Sequence, residues 1–156
     1  MNTQPTLHVV TGLCGSGKST LLQTKFQPHM IVFDSIMKNS RNNSPHYRDC
    51  RHREAIHKTL LALQPIALSD IRFLHLDFRR EFLEEISELI HPDNIRWHCF
   101  IPHLEACRNN LYHRALKSPE TTPPHLEETN RQFFLSCSLP NSAILYHTHI
   151  VPYPSD

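Results

Sequence analysis

Glycine is scarce in this chain. Its 156 residues include three, where ordinary usage of ~7% would give about eleven, and all three (Gly12, Gly15, Gly17) fall in one short stretch. Glycine therefore serves one local purpose. Paired cysteines are lacking too: Cys14, Cys50, Cys99, Cys107 and Cys137 form an odd, scattered set with no CxxC spacing, which excludes a zinc ribbon or a disulfide framework and predicts reduced thiols. No long apolar run exists. Leu7 to Val10 is the only one near the start, and no basic residue precedes it, so neither a signal peptide nor a membrane span is expected and the chain reads as soluble and cytoplasmic. Charge of one sign is also missing: 16 Lys plus Arg against 15 Asp plus Glu leave a formal +1, which excludes a polybasic tail. Histidine is what abounds. Protonating all 13 would add that many positive charges, so surface charge depends strongly on pH at about pH 6 to 7.

A chain of this length suits one domain of ~100 to 200 residues, spanning 1–156. The 39% hydrophobic and 8% aromatic content is enough for a core. Runs rich in branched and aromatic residues predict strands at Leu7–Val10, Met30–Phe33, Ile66–Ser69, Ile95–Ile101 and Ala143–Tyr146. Helical spacing fills the gaps. Lys18–Phe26 follows the first strand; Pro45–Leu63 carries Ile56, Leu60 and Leu63 on one face; Phe82, Ile86, Leu89 and Ile90 mark a third helix. Leu104, Cys107, Leu111 and Ala115 stripe a fourth, and Pro124–Leu135 is expected to bury Leu126, Phe133 and Phe134. Such alternation predicts an α/β three-layer sandwich around a five-stranded parallel sheet, with ligands at the carboxyl ends of the strands. The loosest stretches, Asn39–Pro45 and Lys117–Pro124, lie on that edge and are candidate lids.

All the glycines sit in Gly12-Leu13-Cys14-Gly15-Ser16-Gly17-Lys18-Ser19, which fits GxxxxGK[ST] directly after a predicted strand and before a predicted helix. The chemistry explains each choice. Glycines let successive backbone amides turn into one concavity, the helix start adds a positive dipole, Lys18 neutralises β and γ phosphates, and Ser19 ligates magnesium. The expected ATP-binding set is Gly12, Cys14, Gly15, Ser16, Gly17, Lys18, Ser19 and Thr20, with Mg2+ as the second cofactor.

Such a loop serves ATPases, GTPases and kinases alike, so the ends of the second and third strands must discriminate. Asp34 ends the second strand, where a carboxylate can accept the proton of a hydroxyl in line with the γ phosphate. Asp70 ends the third, where it would hold magnesium through water or bind the acceptor hydroxyl. Either could instead cap the next turn. No NKxD-type stretch occurs, which disfavours a guanine switch.

With these residues placed, the chain resembles the small P-loop kinases of the polynucleotide 5′-hydroxyl kinase type, whose relatives include chloramphenicol phosphotransferase, gluconate kinase and zeta-toxin-like kinases. The resemblance covers roughly Leu7 to Phe134. It rests on the loop, Asp34, Leu68-Ser69-Asp70 followed by Asp77-Phe78-Arg79-Arg80, and Ile101-Pro102-His103-Leu104-Glu105-Ala106-Cys107-Arg108-Asn109. It implies strand order 2-3-1-4-5, a short lid, Asp34 as the acceptor-side acid, and a lid arginine that maps onto Arg108, with Arg114 as the second candidate. Six residues apart, the two arginines lie on different sides of a continuous helix. Cys14 departs from the family, which often has proline there.

Between Lys38 and Lys58, six basic residues (Lys38, Arg41, Arg48, Arg51, Arg53, Lys58) face only Asp49 and Glu54. With Tyr47 free to stack, that segment suits a single-stranded nucleic acid, with Arg48 and Arg51 as acceptor contacts. Glu81, Glu84, Glu85 and Glu88 read as a solvated face, and Trp97 and Phe100 as core. His147 and His149 lack a third metal ligand of suitable spacing. The expected activity is ATP-dependent, magnesium-assisted phosphoryl transfer to a hydroxyl, foremost a polynucleotide 5′-hydroxyl, with Lys18, Asp34 and Arg108 catalytic and no obligate protein partner. A small-alcohol kinase (antibiotic, sugar or nucleotide-sugar) comes second and an ATP-binding module third.

Overall fold

The computed structural model describes residues 5–118 and 123–151. Five strands, β1 (Leu7–Thr11), β2 (Ile31–Phe33), β3 (Ile66–Ser69), β4 (Ile95–Phe100) and β5 (Ile144–Tyr146), form one all-parallel sheet in the order β2-β3-β1-β4-β5. That is the predicted order. Leu7 stands beside Ile66 on one flank and Ile95 on the other, which fixes the register of the central three strands.

Side-chain alternation sorts each strand between two layers. Leu7, Val9, Ile66, Leu68, Trp97 and Cys99 enter the larger core, whereas Val10, Ala67 and Phe100 enter a smaller one. Helices α2 (Arg53–Leu61) and α3 (Leu76–Ile86) close the first through Ile56, Leu60, Phe78, Phe82 and Ile86. The second is closed by Leu22 and Phe26, from a π-wound turn (Leu22–Phe26) that continues α1 (Lys18–Leu21). A third cluster, at the strands' carboxyl ends, packs Leu13, Leu74 and Cys107 beneath α4 (Leu104–Lys117) and α5 (Pro123–Leu135). Among the described residues no helix is long and apolar enough to cross a membrane.

Several expected boundaries shift. Pro45–Leu63 is not one helix: short 3-10 turns at Arg41–Asn43 and Tyr47–Asp49 precede α2. Pro45 disfavours a helical residue before it, and the chain then dips to bury Tyr47 completely, edge-on to Phe82 at 4.8 Å and Phe78 at 6.4 Å. Its hydroxyl meets His57 Nε2 at 3.1 Å. Burying that ring contributes roughly 2 to 3 kcal/mol, so Tyr47 is core and unavailable for stacking. Nor is the acidic face of α3 merely solvated. Glu81 accepts from His46 Nδ1 at 3.0 Å and the Arg48 amide at 3.2 Å, and Glu85 accepts two bonds from Arg53. Helix α5 also differs, because its buried residue is Asn130, while Phe134 and Leu135 are exposed. Of the second candidate lid, residues 119–122 lie outside the described residues.

Three linked contacts, two of them through histidine, cross the smaller core. His8 Nδ1 meets His98 Nε2 at 3.0 Å, His98 Nδ1 meets the Tyr146 hydroxyl at 2.9 Å, and Lys25 Nζ donates to that hydroxyl at 3.2 Å. Burial, then His8 and Lys25, pulls His98 down to about 4 from the usual imidazole value, and burial lowers His8 as well. His98 is thus neutral in the fold and charged in the acidic unfolded chain. Its stabilising effect is complete above about pH 6.5 and is lost as the pH falls from there toward about 4, at up to ~1.4 kcal/mol per pH unit. Denaturant unfolding at a series of pH values is expected to show this slope in the wild type and a shallower one in His98→Gln. Equal slopes would mean that His98 titrates alike in both states.

Candidate active site

The central strand β1 delivers the glycine loop to the middle of the sheet edge, where α1 begins. Gly15 sits at φ 85, and a Cβ there would stand 2.8 Å from the Cys107 carbonyl of α4. A Cβ on Gly12 would stand 2.6 Å from Ser16 Oγ and 2.8 Å from Phe100 Cβ. Both positions exclude a side chain, one by conformation and contact, the other by contact alone.

Donors are left over. Within the described residues the amides of Gly15, Gly17, Lys18, Ser19 and Thr20 have no intramolecular acceptor, and the buried Ser16 hydroxyl has no partner. Gly15, Ser16, Gly17 and Thr20 line a cavity of about 500 Å³ that also touches Phe100, Asn110, Arg114 and Tyr146. Unspent amides at a helix start are the donor set that phosphate oxygens require, so these residues fit an ATP triphosphate. Lys18 Nζ meanwhile donates to the Gly12 and Leu13 carbonyls, each at 2.8 Å. Burial pulls its ammonium below the ordinary lysine value, opposed by Cys14 and by the carboxylates of Asp70 and Asp34.

Asp34 is drawn to this loop. Ser19 Oγ donates to its Oδ2 at 2.6 Å, and Ser69 Oγ donates to its Oδ1. Ser69 also accepts from the Ser35 amide at 2.9 Å, in a turn that holds Ser35 at φ 49. Such a conformation costs on the order of 1 to 3 kcal/mol, and the Ser69 bonds help hold it. Since Ser19 gives its proton to Asp34, its oxygen lone pairs remain available to a cation. Ser19 with Asp34 beside it therefore fits a magnesium ion shared with the phosphates.

Asp70 takes one of the roles that its sequence position left open. Its Oδ1 accepts from the Arg72 amide and its Oδ2 from the Met37 amide, both at 2.9 Å, and it is 2% exposed. The cap is what the structure displays: Asp70 ties the segment after Asp34 to the turn Ile71–Leu74. Arg108 and Arg114 diverge. Arg108 pairs with Glu127 of α5 at 2.6 Å, away from the loop cavity, whereas Arg114 lines that cavity. Arg48 and Arg51 line a separate cavity of about 250 Å³ with Arg41, Cys50, Arg53 and Glu54. Arg79 is buried, donating to the Phe73 and Ser138 carbonyls.

Asn110 and Asn130 lie outside the sequence motifs, and Asn109 stands in one of them without an expected role. Asn130 Oδ1 accepts from the Cys14 amide at 2.7 Å while its Nδ2 donates to the Cys14 carbonyl at 2.9 Å. Asn110 Nδ2 donates to the Gly15 carbonyl at 3.0 Å and to that of His149 at 2.7 Å, and Asn109 Nδ2 donates to the Val151 carbonyl at 2.8 Å. A faint signal existed for Asn130, which falls between Leu126 and Phe133 on the inward stripe of α5.

No family model matches the sequence, and no curated protein matches it. Solved structures do. A gluconokinase from Sinorhizobium meliloti 1021 aligns with TM-score 0.63 at 18% identity, covering 94% of this chain and 85% of that one. A fungal RNA kinase aligns with TM-score 0.55 at 16% identity, covering 97% and 78%. A chain of the Pnkp1/Rnl/Hen1 RNA repair complex aligns with TM-score 0.61 at 14% identity, covering 86% of this chain and 45% of that one, so this chain spans less than half of it. The likeness is one of fold, and the fold is P-loop kinase-like, as the sequence resemblance implied.

Asn130→Ala is expected to lower stability by roughly 1 to 3 kcal/mol, because it leaves the Cys14 amide and carbonyl without partners. It should also weaken binding of a non-hydrolysable ATP analogue. Denaturant unfolding alongside nucleotide titration checks both; unchanged affinity would mean that the loop holds its shape without Asn130.

Proposed function

We propose that the chain transfers the γ phosphate of ATP to a hydroxyl, and that the acceptor is the 5′-hydroxyl of a polynucleotide. The observation that carries the first part is Asp34, a carboxylate within hydrogen-bond reach of the Ser19 hydroxyl of the phosphate loop. Simple hydrolysis has less need of an acid so placed. On this reading the acceptor oxygen bonds to the γ phosphorus, the bond to the β-bridging oxygen breaks, ADP leaves, and the acceptor proton passes to Asp34. The loop amides and Lys18 hold the phosphates, and Arg114 lines the cavity that receives the nucleoside. Magnesium, held at Ser19 beside Asp34, would neutralise charge on the β and γ oxygens. Arg108 would contribute only by leaving Glu127.

The polynucleotide part is supported by the arginine cavity. Cys50, in its lining, donates its thiol to the Ile36 carbonyl at 3.1 Å, two residues past Asp34. Three arginines that pair with no carboxylate among the described residues, Arg41, Arg48 and Arg51, thus lie on the β2 side of the phosphate loop, whereas the nucleoside cavity reaches toward β5. The likeness to a gluconokinase fold favours a small-alcohol acceptor as the second reading. Incubation with γ-labelled ATP and a panel of 5′-hydroxyl oligonucleotides, sugar acids and neutral alcohols tests the two together. Release of free phosphate alone, with no labelled acceptor, would reject both.

Asp34→Asn is expected to keep ATP affinity within a few fold while transfer falls ~10² to 10⁴-fold; a joint loss of binding and transfer would make Asp34 a magnesium partner instead. For the acceptor, log affinity for a single strand should fall with log salt at ~0.7 per phosphate contact. Changing Arg41, Arg48 and Arg51 to Gln should flatten that slope and raise the acceptor KM without altering ATP binding. A slope that stays the same would remove these arginines from the acceptor path.

A further inference from the structure

Beside the arginine cavity lies a second one of about 240 Å³, walled by Pro45, His46, Arg72, His75, Asp77, Phe78 and Phe133. Rings dominate it. Phe133 and His75 meet at 4.7 Å and 77°, forming a right-angled corner, with the largely buried Phe78 also in the wall. Arg72, whose guanidinium lies 3.5 Å from Asp70, connects this cavity to the carboxyl end of β3. The partition from the arginine cavity is the segment carrying His46 and Arg48: the first lines the aromatic cavity and the second the cationic one. Glu81 holds both, at His46 Nδ1 and at the Arg48 amide, so the partition is fixed.

An aromatic corner and a cation cluster on either side of one fixed segment match the repeat of a nucleic acid, a planar base next to a phosphate. Size narrows the occupant further. At about 240 Å³ the cavity falls below the ~300 Å³ at the small end of ligand pockets, which suits one ring system rather than a whole nucleotide. A sugar acid has no planar face to use it. We propose that this cavity takes the base of the acceptor's 5′-terminal nucleotide against Phe133 and His75, with the next phosphate on Arg41, Arg48 and Arg51; this rests on the polynucleotide reading above.

The test compares two 5′-hydroxyl oligonucleotides, identical except that one has an abasic 5′-terminal residue. With the wild-type chain and ATP, the abasic strand should show a KM roughly tenfold to a hundredfold higher, the usual worth of one stacked base. Phe133→Leu, which keeps apolar volume and removes the ring, should raise KM for the ordinary strand by a similar factor while leaving that for the abasic strand and for ATP within about twofold. Equal KM values for the two strands in the wild type would overturn the base site and leave 5′-hydroxyl transfer standing. Labelling of a small alcohol but of neither strand would overturn both.

Discussion

Backbone donors that must stay free for phosphate cannot also hold the loop that carries them. Among the described residues five successive or near-successive amides around Lys18 are unspent, so the loop's shape has to come from elsewhere. It comes from neighbouring elements. Asn130 brackets the Cys14 peptide from α5, Asn110 takes the Gly15 carbonyl from α4, and Lys18 binds the Gly12 and Leu13 carbonyls from within. Leu13 adds a buried anchor against Leu74 and Cys107. Rigidity is thus imposed on the acceptors and on the Cys14 amide, leaving the other donors preorganised.

The strand order gives this loop its two working sides. With β1 at the centre, the segments after β4 and β5 build the cavity beside the glycine loop, and those after β2 and β3 build the carboxylate and arginine side. Ser69 couples the halves of the second side, since one hydroxyl accepts from Ser35 and donates to Asp34. Asp70, one residue on, uses both oxygens to hold the Arg72 amide of its own turn and the Met37 amide of the segment after β2. A carboxylate so occupied acts on the site through the position of its neighbours.

Local features were legible in the sequence. The glycine loop, the five strands within a residue or so, and Asp34 follow from spacing and from chemistry that a few neighbouring residues express. What was not legible depends on distant partners. Pro45–Leu63 has helical spacing, yet Tyr47 leaves the helix to pack on Phe78 and Phe82, which lie more than thirty positions away. Glu81 and Glu85 look like a wet face until His46, Arg48 and Arg53 are laid on them. Asn130 and Cys14 are 116 positions apart, and no periodicity links an asparagine amide to a peptide that it matches only in space. The divergence of Arg108 and Arg114 followed from helix geometry, but which of them faces the loop did not.

The contact between His8, His98 and Tyr146 ends at the cavity beside the glycine loop, of which Tyr146 is a wall. Each neutral imidazole has one N–H, so the chain has two proton orders. Either Tyr146 donates inward to His98 and His98 to His8, or His8 donates to His98 and His98 outward to Tyr146. In the first order the phenol, already accepting from Lys25, offers the cavity no hydrogen; in the second its hydrogen is free to meet a ligand acceptor. A hydrogen-bond acceptor presented to Tyr146 would therefore choose between the two proton orders, and an atom at the rim would set a proton position on β1.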